Sequence, residues 1–295
     1  MTHPPRAPAA SSVLVLALGL ALILPLPASA QITRYGVATR VELHMLPAVT
    51  TGPLDPTWSP DGTHLAYSMR GDVWVQEVGS TQARAITSGP AYHFEPAWSP
   101  DGEWIAVATE LDGNFDLAVV RPDGSDFRRL TSDGALDIQP AWAPDGSALY
   151  YASSQSWDFD VMRYDWATGS VATVAGGGGN QFQPAPSPDG SRLAYIARVS
   201  GRLGSGGIWS MPVEGGEPEL VHYEETSYRP VPAWTPDGSA LIYASDAAGS
   251  YDLAAVPAGG GNRVRLTSQA LDEFAPAVSP DGEKVAFVGN QDGST

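Results

Sequence analysis

Two phases of this chain carry the side chains best able to recognise a ligand. Three residues ahead of a recurring proline stand His93, Asp137, Gln181, Arg229 and Glu273, and one residue ahead of it stand Glu95, Gln139 and Gln183. Imidazole, carboxylate, amide and guanidinium groups at one recurring position offer charge pairing and hydrogen bonding, the chemistry of recognition. Sets that break bonds are missing. His44, His64, His93 and His222 form neither H-x-H nor H-E-x-x-H, and His3 lies in the apolar leader. No G-x-S-x-G nucleophile elbow occurs. Asp112, Asn114 and Asp116 have the first spacings of a calcium loop, but Leu117 and Asp123 occupy the positions where that loop needs glycine and glutamate. Asp112-Gly113-Asn114 therefore reads as a hairpin turn. Gly176 to Gly179 fits no phosphate-loop pattern and reads as a flexible connection. These residues predict no catalytic group, no metal and no cofactor.

The elements that position the two phases announce themselves by repetition. PTWSPDG begins at Pro56, PAWSPDG at Pro96, PAWAPDG at Pro140, PAPSPDG at Pro184, PAWTPDG at Pro232 and PAVSPDG at Pro276, at intervals of 40, 44, 44, 48 and 44 residues. Pro-Asp-Gly is a tight turn: proline presets φ, aspartate braces the turn and glycine supplies positive φ. Alternating segments follow, such as Trp104 to Ala108, Leu149 to Ala152, Leu193 to Ala197 and Leu241 to Ala244, so each unit opens as a β-hairpin. A second turn leads to a third strand (Val73 to Val75, Phe115 to Val119, Tyr251 to Leu253). A short outer strand ends in Ile86-Thr87, Leu130-Thr131 or Leu266-Thr267. Four short strands in a unit of this length make a propeller blade. The expected fold is an all-β, six-bladed β-propeller of four-stranded blades over residues 52–295, with an incomplete last blade. The strand pattern from Gly36 to Leu46, within a linker at residues 31–51, is placed to help close the ring. Because the sixth unit stops at Thr295 in its second turn, the sequence reads as the front part of a longer protein.

Composition narrows the partners. The formal net charge is −17 with a single lysine, Lys284, which argues against nucleic acid and anionic membrane surfaces. There is no cysteine, so disulfides, thiol nucleophiles and a lipidated N-terminal cysteine are excluded. Residues 1–30 read as a secretory signal peptide: Arg6, an apolar core from Val13 to Leu24, and Ala28-Ser29-Ala30 as cleavage site. That core is too short to span a bilayer, so the mature chain is expected to be periplasmic or secreted, with no stable membrane anchor. Trp58, Trp98, Trp142 and Trp234 recur in register and are expected in the core between blades.

The repeated PAWSPDG…IA…DL…RLT pattern over residues 52–295 resembles the TolB-like propeller repeat, a relative of the WD-type repeat. The resemblance implies a periplasmic propeller that receives a protein or peptide partner at one mouth of its channel, and it gives the two phases above their expected role as mouth residues. The chain has no room for the separate small domain that precedes the propeller in TolB itself. The stretches Thr51 to Pro56, Ser68 to Asp72 and Gly89 to Pro96 look most like propellers fused to secreted amidohydrolases. Three functions are thus expected in order: a non-catalytic binding scaffold, the accessory front of an amidohydrolase or peptidase whose metal ligands lie beyond Thr295, and a lyase or glycan-active propeller.

Overall fold

A computed structural model describes residues 16–17, 52–156, 158–198, 206–224, 231–268 and 272–289. Each repeat unit folds into an antiparallel sheet whose strands follow chain order from the innermost outwards. Blade one consists of Leu54–Trp58, His64–Met69, Asp72–Glu77 and Ala83–Ala85. Blade two consists of Tyr92–Trp98, Ile105–Leu111, Asn114–Val120 and Arg128–Arg129. Blade three has Asp137–Trp142, Ala148–Ser153, Asp160–Asp165 and Val171–Ala175, and blade four has Asn180–Pro186, Arg192–Arg198, Gly206–Pro212 and Glu219–Glu224. Blade five is Ala233–Trp234, Ala240–Ser245, Asp252–Pro257 and Val264–Arg265. A sixth, partial sheet holds Glu273–Val278 and Val285–Gly289, with the two-residue strand Leu16–Ala17 lying parallel to the latter. The architecture is therefore an all-β propeller with five complete four-stranded blades and a partial sixth sheet. The expected strand from Gly36 to Leu46 lies outside the described residues, as does most of the expected signal peptide. No helix among the described residues is long and apolar enough to cross a membrane.

The core lies between blades. Ala66, Val73 and Val75 of blade one pack with Ile105, Val107, Ala118 and Val120 of blade two, and Ile196, Ile208 and Val221 of blade four pack with Leu241, Tyr243 and Val256 of blade five. A sheet with a neighbour on each face buries both faces, so every residue from Ala148 to Ser153 is buried. Each fully buried Val, Leu or Ile contributes roughly 1.5–3 kcal/mol.

The turns after the innermost strands repeat the same glycine N–H to carbonyl bond in all six units, and five of them add a Ser or Thr hydroxyl bond to the turn aspartate. In blade two, Gly102 N–H donates to the Ser99 carbonyl at 2.9 Å, and Asp101 Oδ1 accepts from Ser99 Oγ at 2.5 Å and from Glu103 N–H at 3.0 Å. Gly102 has φ +74°, which the turn needs and glycine supplies without strain, and it packs against Pro60 of blade one. Gly62 of blade one faces Pro280 of the sixth sheet in the same way. That contact closes the ring, together with Leu65 and Tyr67 packed on Ala286.

Candidate functional site at the channel-facing strands

The residue ahead of the repeat proline adopts left-handed backbone in five of the six units: Asp55 (φ 50°), Glu95 (51°), Gln139 (60°), Gln183 (52°) and Ala275 (50°). The pairing of the innermost strand with the second strand slips there, between Leu54 and Thr57, Phe94 and Ala97, Ile138 and Ala141, Phe182 and Ala185, and Phe274 and Ala277. This is a β-bulge. Proline lacks an N–H and disfavours right-handed helical backbone in the residue before it, so X-Pro takes the bulge without losing a ladder donor. A non-glycine residue held in this region costs on the order of 1–3 kcal/mol.

The side chains at the bulge form a relay between blades. Gln183 N–H donates to Gln139 Oε1 at 2.9 Å, Gln139 N–H donates to Glu95 Oε2 at 2.9 Å, and Glu95 N–H donates to Ser68 Oγ of blade one at 3.0 Å. Each bond spans from one innermost strand to the blade before it, offsetting the backbone strain. All three side chains are partly exposed. After the relay, the Gln139 amide NH₂ and the whole Gln183 amide carry no further hydrogen bond among the described residues. The site is thus an acid and two amides held at fixed spacing by the strands, suited to the backbone amides and polar side chains of an extended peptide. Asp55 occupies the same phase ahead of Pro56 and was missed by the sequence analysis, although its spacing from the repeat proline identifies it.

The other phase lies elsewhere. His93, Asp137, Gln181 and Glu273, expected from the sequence at the mouth, are 4, 0, 7 and 3 % exposed, so they are buried strand residues. Side chains alternate across a strand, so two residues separated by one strand position share a face unless the second takes the bulge, as Glu95, Gln139, Gln183 and Ala275 do. Arg229 lies outside the described residues. The buried phase sits at a polar seam beside an aspartate in the first three residues of the preceding blade's third strand: Asp72, Asp116, Asp160 or Asp252. Thr87 Oγ1 donates to Asp72 Oδ1 at 3.0 Å, Arg129 Nη2 reaches Asp116 Oδ2 at 2.5 Å, and Arg265 Nη2 reaches Asp252 Oδ2 at 2.7 Å. With its amide nitrogen turned inward, Gln181 donates to the Phe159 carbonyl at 3.0 Å and to Asp160 Oδ1 at 3.1 Å. The Leu-Thr pairs serve this seam too: Thr87, Thr131 and Thr267 accept the N–H of Val73, Leu117 and Leu253 at 2.9 Å.

Electrostatics separate the seam from the mouth. Burial pushes the His93 imidazole below its usual range, against the pull of the Asp72 charge. Burial raises the Asp137 carboxyl to about 6, helped by the charges of Asp133 and Asp116, although the hydroxyls of Ser153 and Thr131 lie close enough to oppose it. Neither oxygen of Asp137 has a partner of good hydrogen-bond geometry among the described residues, so proximity to those hydroxyls does not amount to full satisfaction. No group of three or more His, Cys, Asp or Glu suited to a metal occurs among the described residues. Asp112-Gly113 closes the hairpin between Ile105–Leu111 and Asn114–Val120, as the sequence predicts.

Comparison with known proteins agrees with this geometry. The family model described as the TolB beta propeller domain matches residues 44–272. No curated protein matches the chain. Among solved structures, TolB from Acinetobacter baumannii is 24 % identical with a TM-score of 0.69, covering 76 % of this chain and 56 % of that one. A putative TolB from Agrobacterium tumefaciens is 22 % identical with a TM-score of 0.69, covering 82 % and 92 %. An oligogalacturonate lyase from Vibrio parahaemolyticus is 15 % identical with a TM-score of 0.59, covering 80 % and 75 %. The chain thus spans little more than half the length of the Acinetobacter protein, and these likenesses speak to the fold.

Proposed function

Because the chain belongs to the TolB beta propeller domain family, we propose that it is a non-catalytic binding propeller that takes an extended segment of a partner protein against Glu95, Gln139 and Gln183. The observation that carries this reading is the relay itself. Three non-glycine residues are held in left-handed backbone by bonds between blades, and Gln139 and Gln183 keep amide groups for a ligand. Strained, over-determined backbone of this kind concentrates at ligand clamps, and a rigid ring whose side chains vary from blade to blade is a common way to carry recognition. The apolar leader and its A-x-A site support export to the periplasm or medium.

A second role is compatible with the same surface: the propeller as accessory front of a longer hydrolase, holding substrate or partner while a further domain does the chemistry. What favours it is that a puromycin-hydrolyzing peptidase from Mycobacterium tuberculosis, 17 % identical with a TM-score of 0.57, matches 78 % of this chain with only 41 % of its own.

Selection from a displayed random-peptide library tests the binding role. Peptides enriched on the wild-type protein are expected to bind a Gln139→Ala/Gln183→Ala variant at least tenfold more weakly, with its melting transition still cooperative. Equal binding to both proteins, or no enrichment at all, removes the channel-facing site as the binding surface.

A further inference from the structure

Between the Pro-Asp-Gly turns of blades two and three lies a cleft of about 330 Å³. Trp104, Trp142, Trp166, Asp101 and Asp145 line it. Trp142 belongs to the repeat and is engaged, its Nε1 donating to the Ala97 carbonyl at 3.1 Å. The other two tryptophans depart from the repeat. Two residues beyond the turn glycine, where blade two has Trp104, the other units carry His64, Ala148, Arg192, Ala240 and Lys284. Trp166 N–H donates to the Ser147 carbonyl, and the same backbone bond is made in other blades by Val78, Val213 and Ala258. The fold therefore asks for no indole at either position.

The rings meet in one cluster: Trp142 and Trp166 are edge-to-face at 4.9 Å, and Trp104 and Trp166 are tilted at 6.1 Å. Asp101 and Asp145 each use Oδ1 to brace their own turn, and their Oδ2 atoms carry no hydrogen bond or ion pair among the described residues. Both carboxyls are held below the usual carboxylate range, Asp101 first by the Ser99 hydroxyl and Asp145 first by the Ser147 N–H, so both are charged at neutral pH. The molecule already shows which cation suits such surfaces. The guanidinium groups of Arg121 and Arg128 lie over the Trp104 ring at 4.2 and 4.5 Å and pair with Glu103 and Asp126.

We infer that this cleft receives an arginine side chain of a partner protein, its planar guanidinium against the partly exposed Trp166 indole, which the buried Trp104 and Trp142 hold in place, and its N–H groups on Asp101 and Asp145. An aromatic wall beside carboxylates favours a flat, weakly hydrated cation over an ammonium, and the net charge of −17 draws cationic partners. The inference stands apart from the channel-facing reading, since the cleft is lined from the turns that follow the innermost strands and shares no residue with Glu95, Gln139 and Gln183.

The test uses the full chain labelled at its indole nitrogens and titrated with the peptide Ac-Gly-Arg-Gly-NH₂, with citrulline and lysine versions beside it. The Trp166 indole resonance is expected to shift saturably, with a dissociation constant on the order of millimolar for one cation–π contact and two exposed carboxylates. Citrulline and lysine peptides are expected to bind at least ~5-fold more weakly. Trp166→Val, which installs the residue found in blades one and four, and Asp145→Asn on the exposed turn should each weaken the arginine peptide about fivefold with unchanged melting. Should Trp166→Val not fold, Asp145→Asn decides alone. Equal shifts from citrulline or lysine, no saturation below about 100 mM, or undiminished binding by a folded variant overturns the inference.

Discussion

The indole Nε1 of Trp58 donates to the carbonyl of Ala277 at 2.9 Å, joining residues 219 positions apart. Trp142 makes the same bond to Ala97 and Trp234 to Ala185, each reaching the innermost strand of the preceding blade. Trp58 is the member of this set that joins blade one to the sixth sheet. Trp98 holds the same phase, yet its buried Nε1 finds no partner among the described residues.

Trp58→Phe is therefore expected to destabilise the fold by about 1 kcal/mol more than Trp98→Phe. Both changes remove similar ring area, so their difference isolates the hydrogen bond that closes the ring. Denaturant unfolding of the two variants measures it, and hydrogen exchange in Glu273–Val278 should quicken only in Trp58→Phe. Equal losses would mean the bond adds nothing to closure.

Asp137 makes stability depend on pH in one direction. Its folded carboxyl titrates at about 6, above the ordinary aspartate value, so protonation favours the fold. That contribution is complete below the unfolded value, shrinks as pH rises through about 6, and is gone above it. Ionising this buried group costs on the order of 2–3 kcal/mol relative to the unfolded chain. Asp137→Asn should stabilise the protein by about 2 kcal/mol at pH 7 and flatten the loss between about pH 4 and pH 7. Melting curves across that range check it, and an unchanged slope would place the proton on another group.

Glu224 acts in the opposite direction. It is 10 % exposed at its side chain and accepts from Ser245 Oγ at 2.6 Å, Tyr243 Oη at 2.8 Å and His222 Nε2 at 3.0 Å, with Arg263 Nε at 3.1 Å. Burial raises its carboxyl, but the bonds from Ser245, His222 and Tyr243 and the charge of Arg263 outweigh it and hold the group below the usual glutamate range. Its stabilisation is present above the unfolded value near 4.5 and fades as pH falls through the folded one. Glu224→Gln is expected to cost about 2 kcal/mol at neutral pH and nothing measurable once the wild-type carboxyl is protonated. Acid titration of unfolding in both proteins, read at blade five, tests the sign.

Much of this molecule was legible before any coordinates. Six returns of Pro-Asp-Gly, with alternating strands behind each, specify blades, because turn chemistry and a side-chain period of two are local properties. The in-register tryptophans could be assigned to the space between blades for the same reason. What the tertiary structure alone decided was facing. The bulge at Glu95, Gln139 and Gln183 shifts the register, and a shift of one residue moves a side chain to another face, so His93, Asp137 and Gln181 went inside while Glu95, Gln139 and Gln183, two positions on, stayed partly exposed. Contacts such as Trp58 to Ala277 and Glu224 to Arg263, and the gathering of Trp104, Trp142 and Trp166 around one cleft, depend on how far each blade turns relative to the last. That geometry is set by packing between sheets and leaves no mark at any single position in the chain.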